Sequence, residues 1–588
     1  MKRINKKIKI GLVVVAAVGL FACSKSWLNI SPIGALAPAT LANKPGVEAL
    51  LIGAYAILDG QGGAGQANGP WATASSNWVY GSDAGGDAHK GSDPGDQNLI
   101  TPIETWSANA ANQYLVDLWQ ARFDGVQRAN EAIRVMRLAK DMTGDDTMQV
   151  KAEALFLRAH YHFELIKFFG SKWVPYIDEN VTYSAGNYYV ANGVDILPNI
   201  EADMTFAMNN LPEKNAQIGR ATKWSAAAYL ARILLFEKKF SDARTLLTTF
   251  LANAVNPAGV KYGLVAHFGD NFNPAKKNSI ESVFAVQMSV NDGAGANNAN
   301  AGDVLNFPYA ANSPGGCCGF FQPSYSLVNS FKTDAANGYI PLAILHADWN
   351  TDLKNDEGLS SSDPFTPDNT TPVDPRLDWT VGRRGIPYLD WGPMLGQSWI
   401  RNQASAGPYA PIKNVYYKSQ TGVLTDNSSW TSGYTANNNN LIRYSDVLLM
   451  AAEAEVQGGG SSATAMGYVN QVRQRAMDPT GFVQGSPANY QIGLYTAGTW
   501  TGHELDAIYF ERKIELAMEG HRFSDLVRWG TAAAELNAYA AHEAASNYFA
   551  MKGASFTPGK SDYLPIPQSE IDKTTKGGTQ VLQQNSAY

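Results

Sequence analysis

Between Tyr509 and Gly530 the chain reads YFERKIELAMEGHRFSDLVRWG, and this stretch restricts the folding choices more than any other. Two helical segments are separated at Gly520 and closed at Gly530. Leu505, Ile508, Tyr509 and Leu516 fall at helical spacing, and Phe510, Ile514 and Ala517 form an adjacent stripe. Apolar residues therefore cover most of the circumference, which calls for a buried helix. The same stretch carries Glu511, Arg512, Glu515, Glu519, Arg522, Asp525 and Arg528. Glu511, Glu515 and Glu519 make an i, i+4 row of like charges that needs cations beside it. Arg512–Glu515, Glu519–Arg522 and Asp525–Arg528, each i, i+3, are the expected suppliers. Packed carboxylates of this kind suit either acid/base chemistry or a paired network that fixes how helices dock. With a cation within one turn of each carboxylate, the network is the preferred reading.

The N-terminus is a targeting segment. Lys2, Arg3, Lys6, Lys7 and Lys9 form a basic n-region, and Ile10 to Phe21 is an apolar run too short to span a bilayer comfortably. Leu20-Phe21-Ala22-Cys23 resembles the lipoprotein cleavage box, so residues 1–22 read as a signal peptide and Cys23 as the acylated first residue. Removing five basic and no acidic residues takes the formal charge from −7 to −12. Such a chain lacks the basic face that a nucleic-acid partner needs. Two further cysteines are adjacent, Cys317-Cys318, among glycines; they cannot frame a zinc site, and in an exported protein they read either as a vicinal disulfide or as two small buried thiols.

Helical patterns dominate the first half: Gly46 to Leu58, Gln113 to Leu138, Thr147 to Phe169, Asp195 to Leu211 and Thr222 to Ala252. Tyr161 and Tyr229 sit in similar contexts 68 residues apart, twice the 34-residue tetratricopeptide period. Asp59 to Thr101 is loop-like but carries Trp71, Trp78 and Tyr80. From about Asn253 the texture turns irregular, with a strand-like Ser279 to Val290, Asn/Gly and Asp/Ser/Pro loops, and aromatic clusters. Helices return at Tyr444 to Val456, Ala463 to Ala476, the opening stretch and Glu535 to Met551.

Six segments in order are similar to the SusD/RagB family of Bacteroidota outer-membrane nutrient-binding lipoproteins. They are Leu157-Arg-Ala-His-Tyr-His-Phe-Glu-Leu to Gly170, Pro323 to Phe331, Asp374-Pro-Arg-Leu377, Asn440-Leu-Ile-Arg-Tyr-Ser-Asp to Ala454, the opening stretch, and Tyr563 to Asp572 with Gln583 to Tyr588. The resemblance implies a mainly α, SusD-like fold. Tetratricopeptide-like helix pairs (residues 23–252) pack against a loop-rich ligand-binding half with a few short strands (residues 253–588). It also implies a glycan captured without catalysis and passed to a TonB-dependent, SusC-like transporter in the outer membrane. The expected setting is the cell outer membrane, lipid-anchored and facing outward, with no metal or cofactor. Ser24-Lys-Ser-Trp27 departs from the family in lacking the short acidic run associated with surface export.

Family sites are not marked by motif, so candidates rest on residue type: a sugar offers an apolar face ringed by hydroxyls, suited to Trp or Tyr with nearby polar groups. One cluster is Trp78, Tyr80 and Asp83; the other is Tyr388, Trp391, Trp399 and Arg401, aided by Phe320. Asp83, Asp87, Asp93 and Asp96 lack EF-hand spacing and read as turn formers. His160 and His162, at i, i+2, point apart on a helix, and no GxSxG, HExxH or P-loop occurs. Two other readings stay open: a glycoside hydrolase using Asp83 and Asp390, which demands a defined carboxylate separation, and capture of peptides.

Overall fold

The computed structural model describes residues 38–60, 68–338 and 351–588. The signal peptide, Cys23, Trp27 and Trp349 lie outside them. Helices α1 (Lys44–Ala56), α2 (Gln113–Met136), α3 (Gly144–Phe169), α4 (Leu197–Asn210), α5 (Lys223–Phe236) and α6 (Phe240–Asn253) form the first half. From α2 onward each packs on its successor, and α1 lies on α2 and α3. Short polar caps start several of them: Asn43 accepts from Gly46, and Thr143 and Thr222 form capping boxes. The single pattern from Thr222 to Ala252 is two helices, because the chain turns at Lys238 with φ +61°. The α2–α3 crossing depends on Gly125, whose absent Cβ would lie 2.6 Å from the Tyr161 ring. Tyr161 in turn donates to the Ala54 carbonyl at 2.6 Å, tying α1 to the pair. This is a helix-pair stack whose members bury their faces against one another and against the second half.

The second half returns to helix at α7 (Tyr444–Gln457), α8 (Ser462–Ala476), α9 (Glu504–Glu515), α10 (Arg522–Trp529) and α11 (Ala532–Ala545). Strands are short: β1 (Ala88–Gly91), β2 (Ser282–Val286), β3 (Phe320–Pro323), β4 (Thr425–Asp426), β5 (Tyr434–Thr435) and β6 (Asn439–Arg443). β1 pairs antiparallel with β3, placing Gly91 opposite Phe320; β2 pairs with β6 and β4 with β5. One large core runs through both halves. A separate small core, built on Phe307, Tyr388, Trp399, Ile412 and Tyr416, supports the loops.

The opening stretch is buried as its pattern requires, but its cations come from elsewhere. Glu511 meets Arg376 (2.6 Å) and Arg473 (2.8 Å). Glu515 meets Arg443 and Arg475 at 2.5 Å each and Arg376 at 2.9 Å. Glu519 meets Lys413 (2.7 Å) and Arg443 (2.8 Å). Arg512 turns instead to Asp446 and Asp525, and Arg522 to Glu535. Of the three expected i, i+3 pairs only Asp525–Arg528 forms, at 2.8 Å. The reason is burial: on an enclosed helix the facing elements, not solvent, surround each carboxylate, so long-range guanidinium groups replace neighbours along the same face.

Candidate functional site

The first expected cluster is not a surface. Trp78 is 1% exposed, its indole donating to the Gly302 carbonyl (3.2 Å) and its ring set against Phe320 and Phe321. Tyr80 is buried, with its hydroxyl 2.9 Å from the carbonyls of Ala72 and Tyr114. This segment is enclosed because it threads the break between α9 and α10. A Cβ on Gly81 would sit 2.0 Å from the Gly520 carbonyl oxygen, and one on Gly520, at φ +75°, 2.0 Å from that of Ser76. Met518 and Gly520 donate their backbone N–H groups to Asp87 and Ser82, each at 3.0 Å. Gly81, Ser82 and Asp87, next to the buried Trp78 and Tyr80, therefore fasten the opening stretch to the N-terminal loop.

Asp83 is fully buried, and neither of its carboxylate oxygens meets a protein donor among the described residues. Burial, reinforced by the nearby Glu104 charge, pushes its pKa well above the usual carboxylate range. Burial likewise pushes Asp87 up to about 6. A folded pKa above the unfolded value means that stability falls as pH rises from about 3.8 towards the folded value. Asp83→Asn is accordingly expected to raise the urea midpoint at pH 7.5, the gain shrinking as pH approaches 4. A gain of equal size at both pH values would contradict this.

In the second cluster the residues separate. Tyr388 and Trp399 stand edge to face at 5.4 Å inside the small core, and Phe320 is wholly buried in β3. Trp391 is half-buried, donating from Nε1 to the Tyr416 carbonyl at 3.0 Å. Arg401 is exposed and gathers Asp93 (2.5 Å), Asp96 (2.6 Å) and the Ser92 hydroxyl (2.9 Å), with its guanidinium 5.3 Å from the Tyr309 ring centroid.

Above the small core, residues 308–319 form a pinned loop. Tyr309 donates its N–H to Trp399 (2.8 Å), Gly319 to Phe307 (2.8 Å), and Cys318 to Leu305 (3.2 Å). Cys317 and Cys318 are joined by a disulfide, Cys317 half-exposed and Cys318 buried. The Gly315 N–H reaches the Tyr416 hydroxyl, and the Thr431 hydroxyl donates to the Gly315 carbonyl at 2.6 Å. That last bond docks the β4–β5 hairpin, whose Trp430 is 56% exposed while its Nε1 is held on the Tyr434 hydroxyl at 3.0 Å. Tyr309 is 38% exposed, and Gly319 lies between it and Arg401: a Cβ there would meet theirs at 3.3 and 3.4 Å.

Exposed rings on a fixed backbone, one of them beside an arginine that holds two carboxylates, offer apolar faces beside hydrogen-bonding groups. Because the backbone under Tyr309 and Trp430 is already hydrogen-bonded in place, a ligand would order little on docking. Sequence reasoning passed over Tyr309 and Trp430. The available signal was Trp430 standing alone among Asn, Ser, Thr and Gly, where no apolar periodicity offers it a core to enter. A polar cavity of about 70 Å³ between the halves, lined by Ser75, Asn77, Asn437, Asn439 and Lys413, has room for a few waters only.

Sequential helix pairs closed by a loop-rich half carrying short two-stranded ribbons are the architecture of SusD-like proteins. The chain belongs to the SusD family: the family's model matches residues 280–588, and a second model, starch-binding associating with outer membrane, matches residues 68–235. A SusD-like protein of Formosa agariphila is 24% identical over 89% of this chain and 90% of its own length. Among solved structures, a SusD superfamily protein of Bacteroides vulgatus superposes with TM-score 0.65 at 22% identity, covering 93% of this chain and all of that one. A laminarin-binding SusD-like protein gives 0.63 at 23%, with 93% and 100% covered. Surface glycan-binding protein A of Bacteroides thetaiotaomicron, in complex with laminarihexaose, gives 0.62 at 21%, with 92% and 99% covered.

Proposed function

We propose that this protein binds glycan at the outer membrane and delivers it to a TonB-dependent, SusC-like transporter, without catalysis, while anchored through Cys23 and facing outward. The observation that carries the binding step is the exposed ring of Tyr309, on the pinned loop beside Arg401 and its two carboxylates, together with that of Trp430 on the hairpin docked to the same loop. Trp391, half-buried next to the small core, stays in the proposed site as a flanking ring. The glycan class draws support from relatives whose names state laminarin and laminarihexaose binding. The membrane setting draws on the lipoprotein box and on the family model that names outer-membrane association.

The hydrolase reading finds no support in the carboxylates it needs. Asp83 lies in the interior, whereas Asp390 is exposed and caps the backbone amides of Lys418 and Ser419, the latter at 3.0 Å. A retaining or inverting pair must flank one cleft. Affinity electrophoresis of the intact protein through gels containing laminarin, starch or xylan is expected to show retardation on at least one, with no reducing sugar released from it. Mobility unchanged on every glycan, or release of reducing sugar, would overturn the proposal.

A further inference from the structure

A second crevice, which includes Leu389 of the Tyr388–Trp391 turn in its lining, is about 280 Å³ in volume, just under the usual range for small-molecule pockets. That volume admits one or two sugar rings rather than a chain segment. Three half-buried rings line it: Trp379, Tyr417 and Phe482. Each is fixed in place. Trp379 donates from Nε1 to the Gly481 carbonyl at 2.8 Å, and Phe482 stands edge to face with Tyr490 at 5.2 Å. Tyr417 precedes the segment whose amides Asp390 caps. Gly269 lets the backbone lie on Trp379, since a Cβ there would come within 2.6 Å of the indole. Leu389, with φ +50°, turns through a left-handed conformation unusual for its type, and its residue lines the crevice floor.

The polar lining includes two carboxylates, Asp270 and Asp378, the latter held by Arg383 at 2.8 Å. His267 and Thr480 share a 3.1 Å hydrogen bond, and Asp270 holds Lys276 at 2.7 Å through one oxygen. Gln484 donates its amide N–H to the Phe482 carbonyl at 2.9 Å, leaving its own carbonyl oxygen to accept. No Lys or Arg side chain lines the crevice among the described residues. Aromatic walls beside the Asp270 and Asp378 carboxylates and the Gln484 carbonyl, with no Lys or Arg among the described lining residues, suit an uncharged polyol with an apolar ring face, and disfavour phosphate, sulfate or a carboxylate-bearing ligand.

We propose that the crevice formed by Trp379, Tyr417 and Phe482 is a second carbohydrate site, taking the one or two neutral sugar residues at the end of a glycan. It rests on the reading of the protein as a glycan binder, and it shares no lining residue with the Tyr309–Trp430 platform.

Isothermal titration calorimetry of the intact protein with laminarihexaose, maltohexaose and cellohexaose tests it. Two binding events per chain are expected with at least one of them. Gln484→Ala, an exposed change that leaves packing alone, should weaken one event about tenfold, and Trp379→Ala should abolish that event. Tyr309→Ala/Trp430→Ala should abolish the other. A single event, insensitive to Gln484→Ala and Trp379→Ala but lost in the double variant, overturns the crevice and leaves the platform standing. A single event lost in Trp379→Ala and retained in the double variant supports the crevice and removes the platform. No event with any hexasaccharide overturns the crevice, while retardation in polysaccharide gels still decides the platform.

Discussion

Glu515→Ala is expected to destabilise the protein by about 3–5 kcal/mol, the cost of removing one partner from a buried ion pair. Glu515 is wholly buried at the C-terminal end of α9, in contact with Arg376, Arg443 and Arg475. Around it, Arg376, Arg443, Arg473, Arg475 and Lys413 face Glu281, Asp374, Glu511, Glu515 and Glu519, five cations against five carboxylates. Deleting Glu515 leaves no arginine wholly without an acid, since Arg376 keeps Asp374 and Arg443 keeps Glu281. It does leave one net positive charge in a low-dielectric interior, where charge imbalance is expensive. The same pairing sets the acid response. Burial alone would raise the Glu515 pKa, but Arg475, Arg443 and Arg376 override it and hold the group well below its ordinary 4.5. A depressed folded pKa contributes stability that is full above the unfolded value and drains away as pH falls below about 4.5. Urea denaturation at pH 7 and pH 4 checks both parts. Glu515→Ala should lower the pH 7 midpoint strongly and flatten the decline towards acid; a pH 7 loss below about 1 kcal/mol would sink the network reading.

That network also shows what was legible in the sequence and what was not. Burial of Glu504–Glu515 followed from its all-round apolar pattern, a local property readable in a window of four turns. The identity of its cations was not readable: Arg376 and Arg443 lie 139 and 72 residues from Glu515, and no spacing rule reaches that far. The helix pairs of the first half were legible for the same local reason, and the break at Lys238 was missed because it follows from backbone geometry rather than hydropathy. Site prediction fared worse because an aromatic residue carries the same letter in a core and on a platform. Trp78 and Trp399 lie among Gly, Ser and Asn, which suggested exposure, yet the chain folds those loops over them. Arg401 was recognisable as a polar neighbour of rings, although its ring is Tyr309, 92 residues earlier. The adjacent cysteines pointed to a rigid loop, and the loop they sit in is the one that carries Tyr309.

The second large effect concerns recognition. Tyr309→Ala/Trp430→Ala is expected to weaken glycan binding by about 100-fold or more while leaving the melting temperature nearly unchanged. Each ring stacked on a sugar is worth about 0.5–1.5 kcal/mol beyond the area it covers. Covered apolar area adds roughly 25 cal/mol per Å², so two rings together reach about 3 kcal/mol, and each 1.4 kcal/mol is a factor of ten in affinity. Stability should shift by less than about 0.5 kcal/mol, the usual range for exposed positions. Trp430 is mostly in solvent, and the hairpin beneath it is held by Thr431 and by β4–β5 pairing, neither of which needs the indole. Tyr309 loses only its contact with Arg401, which retains Asp93 and Asp96. Trp78→Ala provides the opposite signature. It empties a buried site between Phe320 and Phe321 and should cost about 3–5 kcal/mol, while the fraction that still folds keeps its affinity. Calorimetric titration beside thermal melts separates the two classes. If Trp78→Ala lost affinity with its melting intact, recognition would belong to the N-terminal loop; if the double variant melted early with affinity unchanged, the platform would be scaffold.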